Sequence, residues 1–170
     1  MTDVADDAAG ITLRGTSPDD LAALMSIWND GRVMGWVGFP DGLGYDADDM
    51  AAWWDRLSAY ANRHHFVIEA DGIGFCGEAF FVVDEARRRA GLDIKLRPEA
   101  RGRGIATRAL GMLIERAFAD EPAVDAVWTE PSPENTPARR LYERCGLAPA
   151  ERPADLPPGA SYWELRRSGP

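Results

Sequence analysis

The sequence is poor in residues that staple or ligate. Among 170 residues there are two cysteines, Cys76 and Cys145, and two histidines. Two thiols so placed make neither a disulfide framework nor a zinc-ligand spacing, so reduced thiols are expected. The histidines are adjacent, His64-His65. In a strand they would point to opposite faces, so no metal site is expected there. No apolar run is long enough to span a bilayer. Residues 1–10 lack the basic start and apolar core of a signal peptide. A cytoplasmic protein with no membrane partner is the expectation. Positive charge is also scarce: 19 Lys and Arg against 28 Asp and Glu leave a net charge of −9, which argues against nucleic acid as a partner. There is no Gly-Lys-Ser/Thr, so no P-loop, and no three-glycine dinucleotide fingerprint.

What is present is enough apolar sequence, 45%, for one domain with a real core. An acidic, mobile tail is expected over 1–10 and a single domain over 11–167. Charge is distributed unevenly. Residues 1–60 hold 11 acidic and three basic side chains, and residues 87–116 hold nine basic and three acidic ones. A basic centre suits a polyanionic cofactor, and an acidic first third could attract a cationic acceptor.

The pattern predicts a strand at Ile11–Arg14, then a helix begun by Ser17-Pro18 with Leu21, Leu24, Met25 and Trp28 on one face. Gly31 to Gly44 holds five glycines and reads as a loop carrying Trp36 and Phe39. A helix over about 47–60 would bury Trp53, Leu57 and Tyr60. Strands at Phe66–Ala70 and Ile73–Val83 are joined by the turn signal Asp71-Gly72. Arg87-Arg88-Arg89 reads as an exposed hairpin tip. Another strand covers Leu92–Arg97. A helix over Ile105–Phe118 would bury Ile105, Ala109, Met112, Leu113 and Ala117. Strand Ala123–Trp128, a helix after Pro137 and a last strand at Tyr162–Leu165 complete the order. It is a mixed α/β domain with an antiparallel front half and helices on both faces.

Two stretches carry chemistry. Arg101-Gly102-Arg103-Gly104-Ile105-Ala106 lies between a strand and a helix. Such a turn aims backbone N–H groups and the positive end of a helix dipole at one place, suited to a phosphate or pyrophosphate. Some 30 residues later, Asn135-Thr136-Pro137-Ala138 opens a helix with Ala138, Leu141, Tyr142 and Cys145 on one stripe, ended by Gly146. Arg-x-x-Gly-x-Ala over Arg101, Gly104 and Ala106 resembles the coenzyme A signature of the GNAT superfamily of N-acetyltransferases. The second segment resembles that family's Asn-x-x-Ala-x-x-Leu-Tyr-x-x-x-Gly-Phe, with Leu147 where Phe is usual. The resemblance covers Phe66 to Leu147 well and the first third loosely. Gly91-Leu92-Asp93 and Thr129-Glu130-Pro131-Ser132-Pro133-Glu134-Asn135 further resemble the aminoglycoside 6′-N-acetyltransferase branch, which has Gly-Ile-Asp and Thr-Asp-Pro-Ser-Pro-x-Asn there. Glu130 is one methylene longer than that Asp. A similar Pro-Ser-Pro-x-Asn run occurs in branches that acylate hydroxylamines.

The resemblance implies a GNAT-like fold: a central, mostly antiparallel mixed sheet with one splayed parallel strand pair. Acetyl-coenzyme A would enter the gap. Ile94, Lys95 and Leu96 would hold its pantetheine and thioester oxygen. Arg101, Gly102, Arg103, Gly104, Ile105, Ala106 and Thr107 would cradle its pyrophosphate, and Asn135 would reach the pantetheine arm. Tyr142 would act as general acid on the departing thiolate. Asp93 sits among apolar residues of its strand, where a carboxylate is costly unless satisfied or functional. Asp93 and Glu130 would handle a cationic amine, with Glu78 in reserve. Trp36 would line the acceptor side, with Phe39, Trp53 and Trp54 in the segment that covers it. The expected enzyme is an acetyl-CoA-dependent N-acetyltransferase for the primary amine of a small cationic molecule, such as an aminoglycoside, working by direct attack in a ternary complex. The alternatives are a protein N-terminal acetyltransferase and a non-catalytic coenzyme A-binding module. A homodimer formed through the last strand is a further expectation.

Overall fold

The computed structural model describes residues 10–168. Most of the acidic tail expected over 1–10 lies outside them. Strand β1 (Ile11–Gly15) leads through a short 3₁₀ turn into helix α1 (Leu21–Trp28). One helical turn, α2 (Gly31–Met34), and helix α3 (Ala47–Ala59) precede a meander of β2 (Arg63–Ala70), β3 (Gly74–Asp84) and β4 (Arg89–Leu96). Helix α4 (Ile105–Asp120), β5 (Ala126–Thr129), helix α5 (Thr136–Arg144), the two-residue β6 (Ala148–Pro149) and β7 (Trp163–Arg166) follow.

The seven strands form one sheet in the order β1-β2-β3-β4-β5-β7-β6. Pairing is antiparallel everywhere except between β4 and β5. The expected mixed, mostly antiparallel architecture is what the chain adopts. The β2–β3 turn needs glycine twice, since Gly72 and Gly74 hold φ of 73° and 78°. The last strand, β7, pairs with β5 along its length and with the two-residue β6 at Trp163 and Glu164.

Each face of the sheet is covered by a different set of helices. α4 lies across β1, β3 and β4 and buries Ile105, Ala109, Leu110, Leu113, Ile114 and Ala117 against Phe81, Ala79 and Leu92. Each large side chain so buried contributes roughly 1.5–3 kcal/mol. Leu110 and Ile114 take the inward positions, while Met112 is only partly buried. On the other face a smaller cluster joins Leu24, Ile27 and Trp28 of α1 to Met34 and Met50. Trp53 meets Trp28 edge to face at 4.8 Å.

Several local expectations change. The segment 31–44 is not all loop: Asp30 accepts from the Arg32 N–H and starts α2. Tyr60 is exposed, because α3 ends at Ala59 and Met50 is its one buried residue. Arg89 is no exposed tip residue. It lies within β4, and its guanidinium pairs with Glu164 at 2.6 Å and with the Tyr162 hydroxyl. Arg88 does sit outside, at φ 53°, paired with Asp125.

Candidate active site

The parallel pair stays together for three residues only. Arg89, Ala90 and Gly91 pair with Ala126, Val127 and Trp128, after which β4 continues to Leu96 while β5 ends at Thr129. The gap between them opens into a cleft of about 840 Å³. The direction of the β4 backbone follows from its other edge. The Arg97 N–H bonds to the Cys76 carbonyl on β3, and the Lys95 carbonyl comes so close to Gly77 that a Cβ there would be 2.0 Å from it. Odd-numbered residues thus face β3, and by strand alternation Ile94 and Leu96 turn their backbone groups toward the gap.

At the end of β4 the chain turns through Gly102 and Gly104, with φ of 74° and 73°. No side chain caps α4, so the N–H groups of its first turn have no side-chain partner. A Cβ at Gly102 or Gly104 would meet nothing within 4 Å; glycine is required here by backbone conformation, not by crowding. A 16-residue helix ending in an uncapped, glycine-bent N-terminus fits a diphosphate. Arg101, Gly102, Gly104, Ile105, Ala106 and Thr107 line the cleft, and Arg103 does not. Arg101 braces the turn from within, donating to the Leu96 carbonyl at 3.2 Å and to the Arg32 carbonyl of α2 at 3.2 Å.

Helix α5 supplies the opposite wall. Asn135 caps it by accepting from the Ala138 N–H at 3.2 Å, and both Asn135 and Tyr142 line the cleft. Tyr142 is 6% exposed. Burial pushes its hydroxyl above the usual phenol range, with the Thr129 side chain working the other way. It therefore stays protonated near neutral pH, as a proton donor must.

The carboxylates do not sit free. Asp93 lines the cleft, with its Oδ2 2.5 Å from the Lys95 ammonium. Lys95 reaches on to Glu78 at 3.3 Å. Burial works against the charge on Lys95, but Asp93 and Glu78 outweigh it and raise its pKa. Glu78 is 1% exposed and does not line the cleft. It accepts from Trp28 Nε1 at 2.9 Å and contacts His65 Nε2 at 2.9 Å, and His65 Nδ1 meets Thr16 Oγ1 at 2.8 Å. Burial alone would raise the Glu78 pKa. The bond to His65 and the charge of Lys95 instead hold it at about 2. The reserve acid is thus a buried anchor, out of reach of a substrate. Glu130 lines the cleft but is paired with Arg152.

The residues from 11 to 148 match the family model described as Acetyltransferase (GNAT) domain. The chain belongs to the GNAT acetyltransferase family. It is an acyltransferase, and its acetyl donor is acetyl-coenzyme A. This acetyltransferase is 26% identical to aminoglycoside N(6′)-acetyltransferase type 1 of Klebsiella pneumoniae over 148 residues, 81% of this chain and 73% of that one. Its fold is similar to that of spermidine N-acetyltransferase from Vibrio cholerae in complex with CoA and spermine, at a TM-score of 0.78 and 20% identity, covering 93% of this chain and 96% of that one. It is also similar to AAC(6′)-Ib in complex with ribostamycin and coenzyme A, at a TM-score of 0.76 and 24% identity, covering 93% and 94%.

Part of the acetyltransferase cleft comes from residues that no local pattern marked, Phe80, Val82 and Val37 among them. Phe80 and Val82 of β3, Val37 of the 3₁₀ turn Gly35–Val37 and Trp128 of β5 line it together with Trp36. The sheet register was the missing signal: Phe80 pairs with Asp93, Val82 with Gly91 and Gly91 with Trp128, so these side chains share a face. Trp36 is 51% exposed and yet lines the cleft. Phe39, Trp53 and Trp54 do not line it; Trp53 packs on Trp28 and on His65. Arg152, in a proline-rich connection with no helical or strand period, carried no signal either.

Proposed function

We propose that the protein transfers acetyl from acetyl-CoA to the primary amine of a small cationic molecule, by direct attack within a ternary complex. The reading is carried by one observation: Tyr142, Asp93, the inward edge of β4 and the turn after Arg101 all line a single cleft. Bound acetyl-CoA supplies an activated carbonyl and a thiolate leaving group. The Arg101–Thr107 backbone would hold the pyrophosphate, Ile94 and Leu96 the pantetheine and carbonyl oxygen, and Asn135 the pantetheine arm. Asp93 orients the amine and receives its proton on the way to water. As the N–C bond forms and the C–S bond breaks, the Tyr142 hydroxyl gives its proton to the sulfur. Relatives named for aminoglycosides and spermidine support a small cationic acceptor. Within this reading the single domain spans 11–167.

The test is thiol release from acetyl-CoA by the purified protein against aminoglycosides, polyamines, amino acids, a hydroxylamine and short peptides. Turnover of a small amine supports the proposal. Turnover of peptides alone supports the N-terminal acetyltransferase reading. Acetyl-CoA binding by calorimetry without turnover of any member supports the non-catalytic module.

A further inference from the structure

The charge at the acceptor end of the cleft is already balanced by the protein itself. Two acids, Asp93 and Glu130, line the cleft. Asp93 lies 2.5 Å from Lys95. Glu130 is held by Arg152, whose guanidinium is fixed in turn by the Pro157 and Ser161 carbonyls at 2.8 and 2.7 Å. Other acids on this face are paired as well: Glu78 is saturated by Trp28, His65 and Lys95, Glu164 by Arg89 and Arg166, and Asp84 by Arg87. A molecule with several ammonium groups needs several unpaired acceptors, because each desolvated charge left unpaired costs more than a neutral contact contributes. Of the two cleft acids only Asp93 shares its partner, since Lys95 also has Glu78 at 3.3 Å, so this end has one carboxylate to offer an ammonium and none for a second.

Apolar surface is what it does offer. The Trp128 indole lies over Gly91, where an added Cβ would come within 3.3 Å of the ring, and it is stacked on Tyr162 at 5.4 Å. Phe80 is the cross-strand partner of Asp93 and is braced by the parallel His65 ring at 5.6 Å and by the Arg63 guanidinium at 4.3 Å. Trp36 and Val37 line the same cleft, while large parts of their surfaces remain exposed. Aromatic walls beside one carboxylate suit a single ammonium on a flat apolar body. The ammonium goes to Asp93, and the body displaces water from the indole and the exposed part of Phe80.

Resting on the acetyltransferase reading above, we infer that the acceptor is a compact monoamine with a flat, apolar body, bound between Trp128, Phe80 and Trp36, and that polycations are poor substrates. The experiment compares kcat/KM of the full chain for 2-phenylethylamine, tryptamine, spermidine, ribostamycin and a short peptide at saturating acetyl-CoA. The aryl amines are expected to lead by at least about tenfold. A lead for spermidine, ribostamycin or the peptide overturns this inference and leaves the acetyltransferase reading standing. Silence across the panel with acetyl-CoA still bound overturns both. Two variants test the cause. Arg152→Met releases Glu130 and should shift the spermidine to phenylethylamine ratio toward spermidine by about fivefold or more. Trp128→Leu should raise the phenylethylamine KM about tenfold with acetyl-CoA affinity retained, and that retention separates a lost contact from a lost fold. No change in either variant overturns the assignment.

Discussion

The two ends of the cleft are built from different materials. The cofactor end is made of backbone: a left-handed glycine pair, an uncapped helix start and a strand edge with no neighbouring strand beyond Gly91. The acceptor end is made of side chains from α2's neighbourhood, β3, β4, β5 and the connection before β7, balanced in ion pairs. Backbone donors point where the fold sends them and tolerate many side chains nearby. A side-chain surface changes with every substitution. One end can therefore keep a common cofactor while the other changes acceptor.

Substitutions can break or sharpen this contrast. The largest effect is expected at Tyr142, where the ends meet. Tyr142→Phe should slow turnover by about 10²-fold or more while acetyl-CoA affinity in calorimetry stays level; unchanged turnover would remove the phenol from the mechanism. Next comes the support under the acceptor end. Glu78→Gln leaves Lys95 and His65 short of a charged partner and should cost on the order of 2 kcal/mol in denaturant unfolding. The native protein should respond to acid in the same sense. The folded Glu78 pKa, about 2, is depressed from 4.5, so its contribution is complete above about 4.5. It is lost as pH falls toward 2, and Glu78→Gln should flatten that part of the stability profile. Asp93→Asn is expected to raise the acceptor KM about tenfold and to spare acetyl-CoA; equal losses in both would make Asp93 structural. The smallest effect belongs to the cofactor end. Gly104→Ala forces a Cβ into φ 73° and should cost about 1 kcal/mol of stability, with weaker acetyl-CoA binding and no change in acceptor KM.

The same contrast decides what could be read from the sequence. Arg101 to Ala106 and Asn135 to Gly146 are contiguous, and their physics is local: glycine conformations, a cap, a helical stripe. The turn and the two helices fall where they were expected, although Arg103 does not line the cleft. Strand alternation around Asp93 was local as well, and the existence of a polar demand there was legible. Its partner Lys95 lies two residues on in the same strand, but what stands behind Lys95 was not legible, because Glu78 reaches Lys95 and His65 reaches Glu78 only through the register of β2, β3 and β4. Glu130 was visible, but its partner Arg152 lies 22 residues on, beyond the reach of any helical or strand period. The ring of α3 that packs inward is Trp53, as expected, but Tyr60 falls past the helix end and turns to solvent.

Along the strands themselves three residue pairs form the seam that joins the β1–β4 half of the sheet to the β5-β7-β6 half, and the bonds of Arg88 to Asp125 and of Arg89 to Glu164 reinforce the same end. Past that seam the halves face each other across open space, held by α4 and α5 behind. A pantetheine arm laid along Ile94 and Leu96, as proposed, would be a stitch as well as a substrate, since it would extend the seam where the chain stops doing so. Mass action makes the stitch measurable. At a hundredfold excess over its dissociation constant a ligand adds about 2.7 kcal/mol, and amide exchange should slow most along β4 and β5. On that reading the protein would be stiffest with its carrier bound and would loosen when the spent carrier departs.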